Sequence, residues 1–191
     1  MRKWSLLLVV LGVVFAVAAC GGGATAGTTD DEGPSSTSGK KTTTTKAAKA
    51  DGTREDPVPL GTAAKVGDWE ITVTACELDA TETVMDANEF NDAPADGHQY
   101  ALVTVKATYT GDESGTFWVD MSGKFLGSGG NTFDSGMAVA GDDIIDSSEA
   151  FPGASVSGDL VFDVETTQAT GGLLMLEPSF SFDDPVFFAL D

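Results

Sequence analysis

Basic residues are scarce in most of this 191-residue sequence. Residues 57–191 contain three lysines and no arginine against 24 aspartates and glutamates, which gives that part of the chain a formal charge of −21. A protein that binds nucleic acid needs clustered Lys and Arg to meet the phosphates, so we expect no nucleic-acid partner. A strongly acidic surface is typical of a soluble, exposed protein.

Histidine is nearly absent as well, since His98 is the only one in the sequence. A hydrolase needs a nucleophile beside a base, and no Gly-x-Ser-x-Gly motif occurs. We therefore predict that the protein is not an enzyme and that His98 is a solvent-exposed residue where a loop meets a strand. Soft metals are not expected either, because one histidine and scattered methionines make a poor ligand set.

Cysteine occurs only at positions 20 and 76, and no disulfide is predicted. Cys76 lies in a strand-like stretch, residues 71–78, where a lone cysteine usually behaves as a small buried hydrophobe. The alternatives are a reactive thiol or an intermolecular bridge.

No apolar run is long enough to cross a membrane as a helix. The longest, residues 6–17, has 12 residues, whereas a spanning helix needs about 20. Arg2 and Lys3 precede it and small residues follow it, which is the layout of a secretory signal.

The small residues at the end of this signal are Val17-Ala18-Ala19-Cys20. This stretch resembles the lipobox of bacterial lipoproteins. The resemblance implies that a diacylglyceryl group is attached to Cys20, that residues 1–19 are a signal peptide removed by cleavage, and that the protein is held at the cell membrane facing away from the cytoplasm. The alternative is an ordinary signal peptide followed by a chance cysteine.

Residues 20–56 form a different compositional region. From Gly21 to Asp56 the chain is mostly Gly, Ala, Thr, Ser, Lys and Asp, and apart from Pro34 it has no apolar residue larger than Ala. Such a segment buries too little apolar surface to offset its ordering entropy, so we predict a disordered tether. As a flexible coil it would hold the rest of the chain on the order of 30 Å from the anchor.

Residues 57–191 are predicted to form one all-β domain. Helical periodicity is nearly absent, and short runs of strand-forming residues alternate with Gly, Pro, Asp and Asn, which is typical of an antiparallel β-sandwich. Mainly apolar residues alternate with polar ones in 69–75, 101–109 and 156–164. A hairpin turn is predicted at Gly67-Asp68.

Three further stretches have shorter or weaker patterns. Phe117, Val119 and Met121 alternate as in a strand, and so do Phe180 and Phe182 with the serines beside them. The acidic residues 79–99 are predicted to be a long loop with a short helical turn, and a loop of this length is usually functional or disordered.

Several of these landmarks occur together in one known family. Val-Gly-Asp-Trp at 66–69, Tyr-Ala-Leu-Val-Thr-Val at 100–105 and the segment 152–164, which begins Pro-Gly, resemble the DUF4352-type, telokin-like immunoglobulin-like domains of secreted and lipid-anchored bacterial proteins. The resemblance implies an immunoglobulin-like antiparallel β-sandwich. It also implies an extracytoplasmic role in binding an envelope protein or polymer, with no defined activity.

A calcium-dependent adhesion or sensing module is the alternative function. Hard cations take oxygen ligands from clustered acidic residues. Asp142, Asp143, Asp146 and Glu149 lie in one predicted loop and form the candidate calcium set. No other cofactor is expected.

Replacing Cys20 by Ala tests the predicted anchor. Because a single thiol carries the diacylglyceryl group, Cys20→Ala should abolish incorporation of radiolabelled palmitate and move the protein out of the membrane fraction. Cys76→Ala is the matched control and should change neither result. Persistent membrane association of Cys20→Ala would contradict the prediction.

Overall fold

The computed structural model describes residues 51–191, and the predicted signal peptide and most of the predicted tether lie outside this range. Within it, no helix is long and apolar enough to span a membrane. The strands are β1 Ala63–Val66, β2 Trp69–Glu77, β3 His98–Tyr109, β4 Met121–Leu126, β5 Thr132–Asp134, β6 Ser155–Glu165, β7 Leu173–Pro178 and β8 Val186–Ala189. The helices are α1 Thr81–Ala87, α2 Phe117–Asp120 and α3 Thr166–Ala169, with a 3-10 turn at Ile144–Asp146.

The strands form two four-stranded sheets in which every neighbouring pair is antiparallel. One sheet has the order β1-β2-β3-β6 and the other β5-β4-β7-β8. The predicted all-β antiparallel sandwich is therefore confirmed. The turn at Gly67-Asp68 joins β1 to β2 and pairs Val66 with Trp69, also as predicted.

One hydrophobic core lies between the two sheets. The alternating residues of β3 supply one side of it, from Ala101 to Tyr109, and every second residue there is buried. Phe162 of β6 meets Phe125 of β4 with the ring centroids 6.0 Å apart, which joins one sheet to the other. The alternation in the sequence thus predicts which residues of β3 face the core.

The sandwich includes a few residues that composition assigns to the tether. Gly52 is buried, and its carbonyl accepts a hydrogen bond of 2.8 Å from the backbone N–H of Phe187 in β8. Val58 also hydrogen-bonds to Phe187 and forms a bridge with Phe188. Gly52, which lies within the predicted tether, therefore contacts the sandwich at β8.

Three local predictions were wrong. Residues 117–120 form helix α2 and not the predicted strand, although Phe117 and Met121 are both buried. Two residues spaced four apart share a face in a helix as well as in a strand, so the pattern of buried residues did not distinguish the two. A bulge in β2 after Val73 exposes Ala75 and turns Cys76 toward the core. Phe180 and Phe182, predicted to face a core, lie exposed in the loop between β7 and β8.

The open edge of β6 is covered by the segment 135–143. Gly136 donates its N–H to Val161, and Asp159 donates its N–H to the carbonyl of Asp142. Gly158 makes the close approach possible, since a Cβ atom there would lie 2.5 Å from the carbonyl oxygen of Asp142 and 2.6 Å from the nitrogen of Ile144. Covering an edge in this way prevents pairing with another chain.

Replacing Gly158 by Ala should destabilise the domain, because the added methyl group meets backbone atoms that cannot rotate away. We expect a loss of about 1–3 kcal/mol in the free energy of unfolding, measured by urea denaturation. Gly136→Ala is the control on the covering segment, since the nearest atoms to its added methyl group lie 3.8 Å away. A similar loss in both variants would contradict this role of Gly158.

Candidate functional site

The predicted calcium ligands lie only in part around one surface depression. Asp142, Asp143 and Asp146 line this depression of about 550 Å3 together with Thr104 and Asp159. Glu149 lies elsewhere, where its carboxylate accepts a 2.6 Å hydrogen bond from the hydroxyl of Ser114.

Two of the four carboxylates of this depression, Asp143 and Asp159, already accept hydrogen bonds from the protein. The carboxylate of Asp143, which is buried, accepts the backbone N–H groups of Ala140 and Gly141. Asp159 accepts a 2.6 Å hydrogen bond from the hydroxyl of Thr104. In the range 51–191, no group of three or more His, Cys, Asp or Glu side chains is arranged to hold a metal ion. The predicted calcium set is therefore not assembled in this structure, because Asp143 stabilises its own loop and Glu149 points to another partner.

A second depression lies at the end of the sandwich where the turn between β1 and β2 meets the ends of β3 and β7. It has a volume of about 380 Å3. We call it the Tyr109 groove. Its lining consists of residues from five separate parts of the chain, chiefly Asp68, Trp69, Tyr109, Asp120, Met121, Pro178, Phe180 and Asp183. No lysine, arginine or histidine is among its lining residues.

Asp120 is held in the groove by two hydrogen bonds to the same carboxylate oxygen. Its Oδ2 accepts the indole N–H of Trp69 at 3.0 Å and the backbone N–H of Thr116 at 3.1 Å. Helix α2 positions this carboxylate, and the fully buried Trp69 fixes it against the other sheet. Its second oxygen, Oδ1, makes no hydrogen bond to any residue in 51–191, so it can accept one from a ligand.

Tyr109 is the last residue of β3, and its ring is almost entirely buried. The side chain is 6% exposed, and its ring lies 5.0 Å from that of Trp69 in an edge-to-face arrangement. A Cβ atom at Gly111 or Gly115 would overlap this ring, so both glycines are needed where they pack against it. The hydroxyl has no hydrogen-bond partner within the described chain, but it is not buried, and Tyr109 is one of the residues that line the groove.

Negative charge surrounds this hydroxyl. Burial, followed by the carboxylates of Asp68 and Asp120, raises the pKa of Tyr109 above its ordinary value, and Glu113 and Asp112 act in the same direction. The hydroxyl therefore stays protonated at neutral pH, and it can both donate and accept a hydrogen bond.

The acidic loop 79–99 contacts the segment that leads into Asp142 and Asp143 at Asn91. Asn91, in the 79–99 loop, bridges to Val139 in both directions, at 2.8 Å from its amide nitrogen and 3.0 Å to its oxygen. Helix α1 buries Val84 against Tyr100 and Val161 on the outer face of the β3-β6 pair. The loop therefore packs as a second small core, and the short helical turn predicted there is confirmed.

His98 is not the exposed residue that was predicted. It is half-buried, and its Nδ1 lies 2.8 Å from Oδ1 of Asp163, at the opposite end of β3 from the Tyr109 groove. Its ring also meets Phe133 edge to face. His98, the first residue of β3, thus links the start of that strand to Asp163 of β6.

Cys76 is half-buried and packs against the main core. Burial, followed by Asp191 and Glu77, raises the pKa of its thiol to about 11. Since the thiolate is the reactive form, this site favours the hydrophobic role predicted for Cys76 over a reactive one. The other cysteine, Cys20, lies outside the described residues.

The sequence alone did not single out the Tyr109 groove. Tyr109 reads as one more core position of β3, and Asp120 as the polar side of a strand. No local pattern marks either residue, because the groove exists only where the turns of both sheets meet. Fold and groove together define a β-sandwich with an open acidic groove at one end.

The chain belongs to the family described as Domain of unknown function (DUF4352), whose model matches residues 58–186. The family resemblance expected from the strand motifs is thereby confirmed. No curated protein matches this chain.

Several solved structures are similar to this chain. The secreted protein MPT63 of Mycobacterium tuberculosis is 15% identical, with a TM-score of 0.47, covering 70% of this chain and 97% of its own. An uncharacterized β-sandwich protein of Clostridium difficile is 12% identical, with a TM-score of 0.45, covering 71% and 95%. A candidate lipoprotein of Bacillus subtilis, ycdA, is 16% identical, with a TM-score of 0.47, covering 68% of this chain and 38% of its own.

Removing the carboxylate of Asp120 should destabilise the groove end of the sandwich. Asp120→Ala leaves the buried indole N–H of Trp69 without its acceptor, so we expect the free energy of unfolding to fall by about 2 kcal/mol. Asp120→Asn, which keeps an acceptor oxygen, should lose less.

Asp112→Ala is the matched control, because Asp112 is exposed in the neighbouring loop. It should change stability by no more than about 0.5 kcal/mol in the same urea denaturation. Equal losses from Asp112→Ala and Asp120→Ala would contradict the assigned role of the Trp69 hydrogen bond.

Proposed function

We propose that this protein is a lipid-anchored, extracytoplasmic binding or display module of the cell envelope that acts without catalysis. The anchor is the lipid on Cys20, and the ordered β domain carries the binding surface at the end of its tether. The sequence of the N-terminal region supports the anchor, since a basic start and a short apolar run lead into Val-Ala-Ala-Cys. The family description supports no particular activity.

The Tyr109 groove is the observation on which the binding role depends. The ring of Tyr109 is held by packing while its hydroxyl is open to the groove, beside a carboxylate that two hydrogen bonds orient, so both groups are positioned to meet a ligand in place of water. Rigid strands and a short helix supply these groups. Sites built on rigid elements hold their geometry well enough to recognise a ligand.

Binding accounts for the groove better than catalysis does. Its lining offers carboxylates, serine hydroxyls and one tyrosine, but no histidine or cysteine lies among them. His98 pairs with Asp163 at the far end of β3. Two lining serines do contact carboxylates, Ser181 with Asp183 and Ser114 with Glu149, but both carboxylates and Ser181 are exposed on loops rather than held in an enclosed site.

Exposed aromatic residues next to the groove enlarge the candidate surface. Phe180 is 87% exposed and lines the groove, and Phe182 is fully exposed two residues further along the same loop. Large apolar side chains grouped at a surface mark interaction sites on soluble proteins.

Site-specific photo-crosslinking in intact cells tests this function. A photoreactive residue at position 180 should capture an envelope protein or polymer, whereas the same residue at position 137 should not. Met137 is the matched control because it is also largely exposed but does not line the groove. Cys20→Ala should weaken the crosslink at position 180 by removing the protein from the membrane.

The proposal fails if position 180 captures nothing from the envelope, or if both positions capture the same products. It also fails if a protease added to spheroplasts, whose outer layers have been removed and whose cell membrane is intact, does not reach the protein, since the domain would then face the cytoplasm.

A further inference from the structure

The groove is negatively charged on every side that the ligand would meet. Asp68, Asp120 and Asp183 line it, on the β1–β2 turn, helix α2 and the β7–β8 loop respectively. Ser114, which also lines it, hydrogen-bonds to Glu149, so a fourth carboxylate lies at its border. No basic side chain is among the lining residues to neutralise these charges. A ligand that carries positive charge would be attracted, and an anion repelled.

The acidic residues alone would not define a site, but the two groups at the centre of the groove do. Tyr109 is 6% exposed and its hydroxyl has no partner in residues 51–191, while Asp120 keeps Oδ1 unused. The Tyr109 hydroxyl and Oδ1 of Asp120 can each accept an N–H group, and the hydroxyl can also donate one hydrogen bond. The side chain of Lys or Arg supplies N–H donors, and a peptide carbonyl accepts the remaining proton.

The apolar lining of the groove fits the rest of such a side chain. Met121 and Pro178 form part of the groove wall, and Phe180 stands at its rim. Lys and Arg carry long aliphatic stems that pack on apolar surface while the charged head reaches a polar site. A cation beside an exposed aromatic ring gains a further attraction.

Taking these features together, and resting on the binding function proposed above, we propose that the Tyr109 groove binds a lysine- or arginine-bearing segment of a partner protein. The cationic head would sit between Asp120 and Tyr109, with Asp68 and Asp183 on either side. Apolar residues next to the cation would cover Phe180 and Phe182.

The chain's own tether is the competing occupant, since it contains Lys40, Lys41, Lys46 and Lys49. It matches the charge but not the apolar surface, because apart from Pro34 it has no apolar residue larger than Ala between positions 21 and 56. Phe180 and Phe182 would remain uncovered. A partner segment that combines basic and large apolar residues fits both halves of the surface.

The test uses the full chain carrying Cys20→Ser, purified in a mild detergent, and a fluorescent hexapeptide of alternating lysine and leucine. The peptide should bind, and its twin with every lysine acetylated should not, because acetylation removes the charge and keeps the stem. During titration, the indole N–H resonance of Trp69 should shift, which places the peptide beside Asp120.

Two double variants separate recognition in the groove from general attraction to an acidic protein. Asp68→Asn with Asp183→Asn should weaken binding by about five- to tenfold. Asp142→Asn with Asp146→Asn removes the same charge from the other depression and should change the Kd by less than about twofold. Tyr109→Phe, which keeps the buried ring, should weaken binding by about threefold, and the melting temperature of each variant confirms that it folds.

Three outcomes would overturn this proposal. The first is that the acetylated peptide binds as tightly as the unmodified one. The second is that the two double variants lose the same affinity for the peptide. The third is that the peptide binds more tightly when Lys46 and Lys49 are changed to Gln, which would identify the tether as the occupant. If the crosslink at position 180 persists in any of these cases, the binding function stands and only the assigned ligand class falls.

Discussion

The hydrogen bond between the indole of Trp69 and the carboxylate of Asp120 joins the two sheets at the end where the groove lies. Trp69 is fully buried and packs edge to face on both Tyr109 and Phe117, at 5.0 and 5.7 Å. A buried indole N–H needs an acceptor, and Asp120 is the one that helix α2 brings to it. The same carboxylate also accepts the N–H of Thr116, so one residue stabilises the start of the helix and the closure of the core.

This arrangement connects stability with the proposed binding site. Trp69 fixes the ring of Tyr109 from one side, and the backbone at Gly111 and Gly115 packs on it from another. The hydroxyl is therefore held in place before any ligand arrives, which lowers the entropy lost on binding. The turn at Gly67 is part of the same structure, since its backbone lies against Pro178 and Met121 of the other sheet.

Acidic residues have different roles in different parts of this domain. Asp143 caps its own loop through the N–H groups of Ala140 and Gly141, and that loop covers the edge of β6. Asp159 pairs with Thr104 across two strands. Most other carboxylates are exposed and keep the surface charged. Within residues 51–191, Tyr109 Oη and Asp120 Oδ1 have no hydrogen-bond partner; these two groups come from different elements and meet only at the groove.

The sequence by itself determined the faces of the long strands, the hairpin at Gly67-Asp68 and the all-β class, because the period of two in β3 and β6 is a local property of the chain. It also supplied the prediction of a lipid on Cys20, which depends on a linear motif. Only the tertiary structure decided that Cys76 rather than Ala75 faces the core, that Phe117 begins a helix, and that Phe180 is exposed. Each of those outcomes depends on what packs against the residue. The groove belongs to this second group, since Asp68, Tyr109, Asp120 and Asp183 come from four different elements, and only the packing of two sheets places them together.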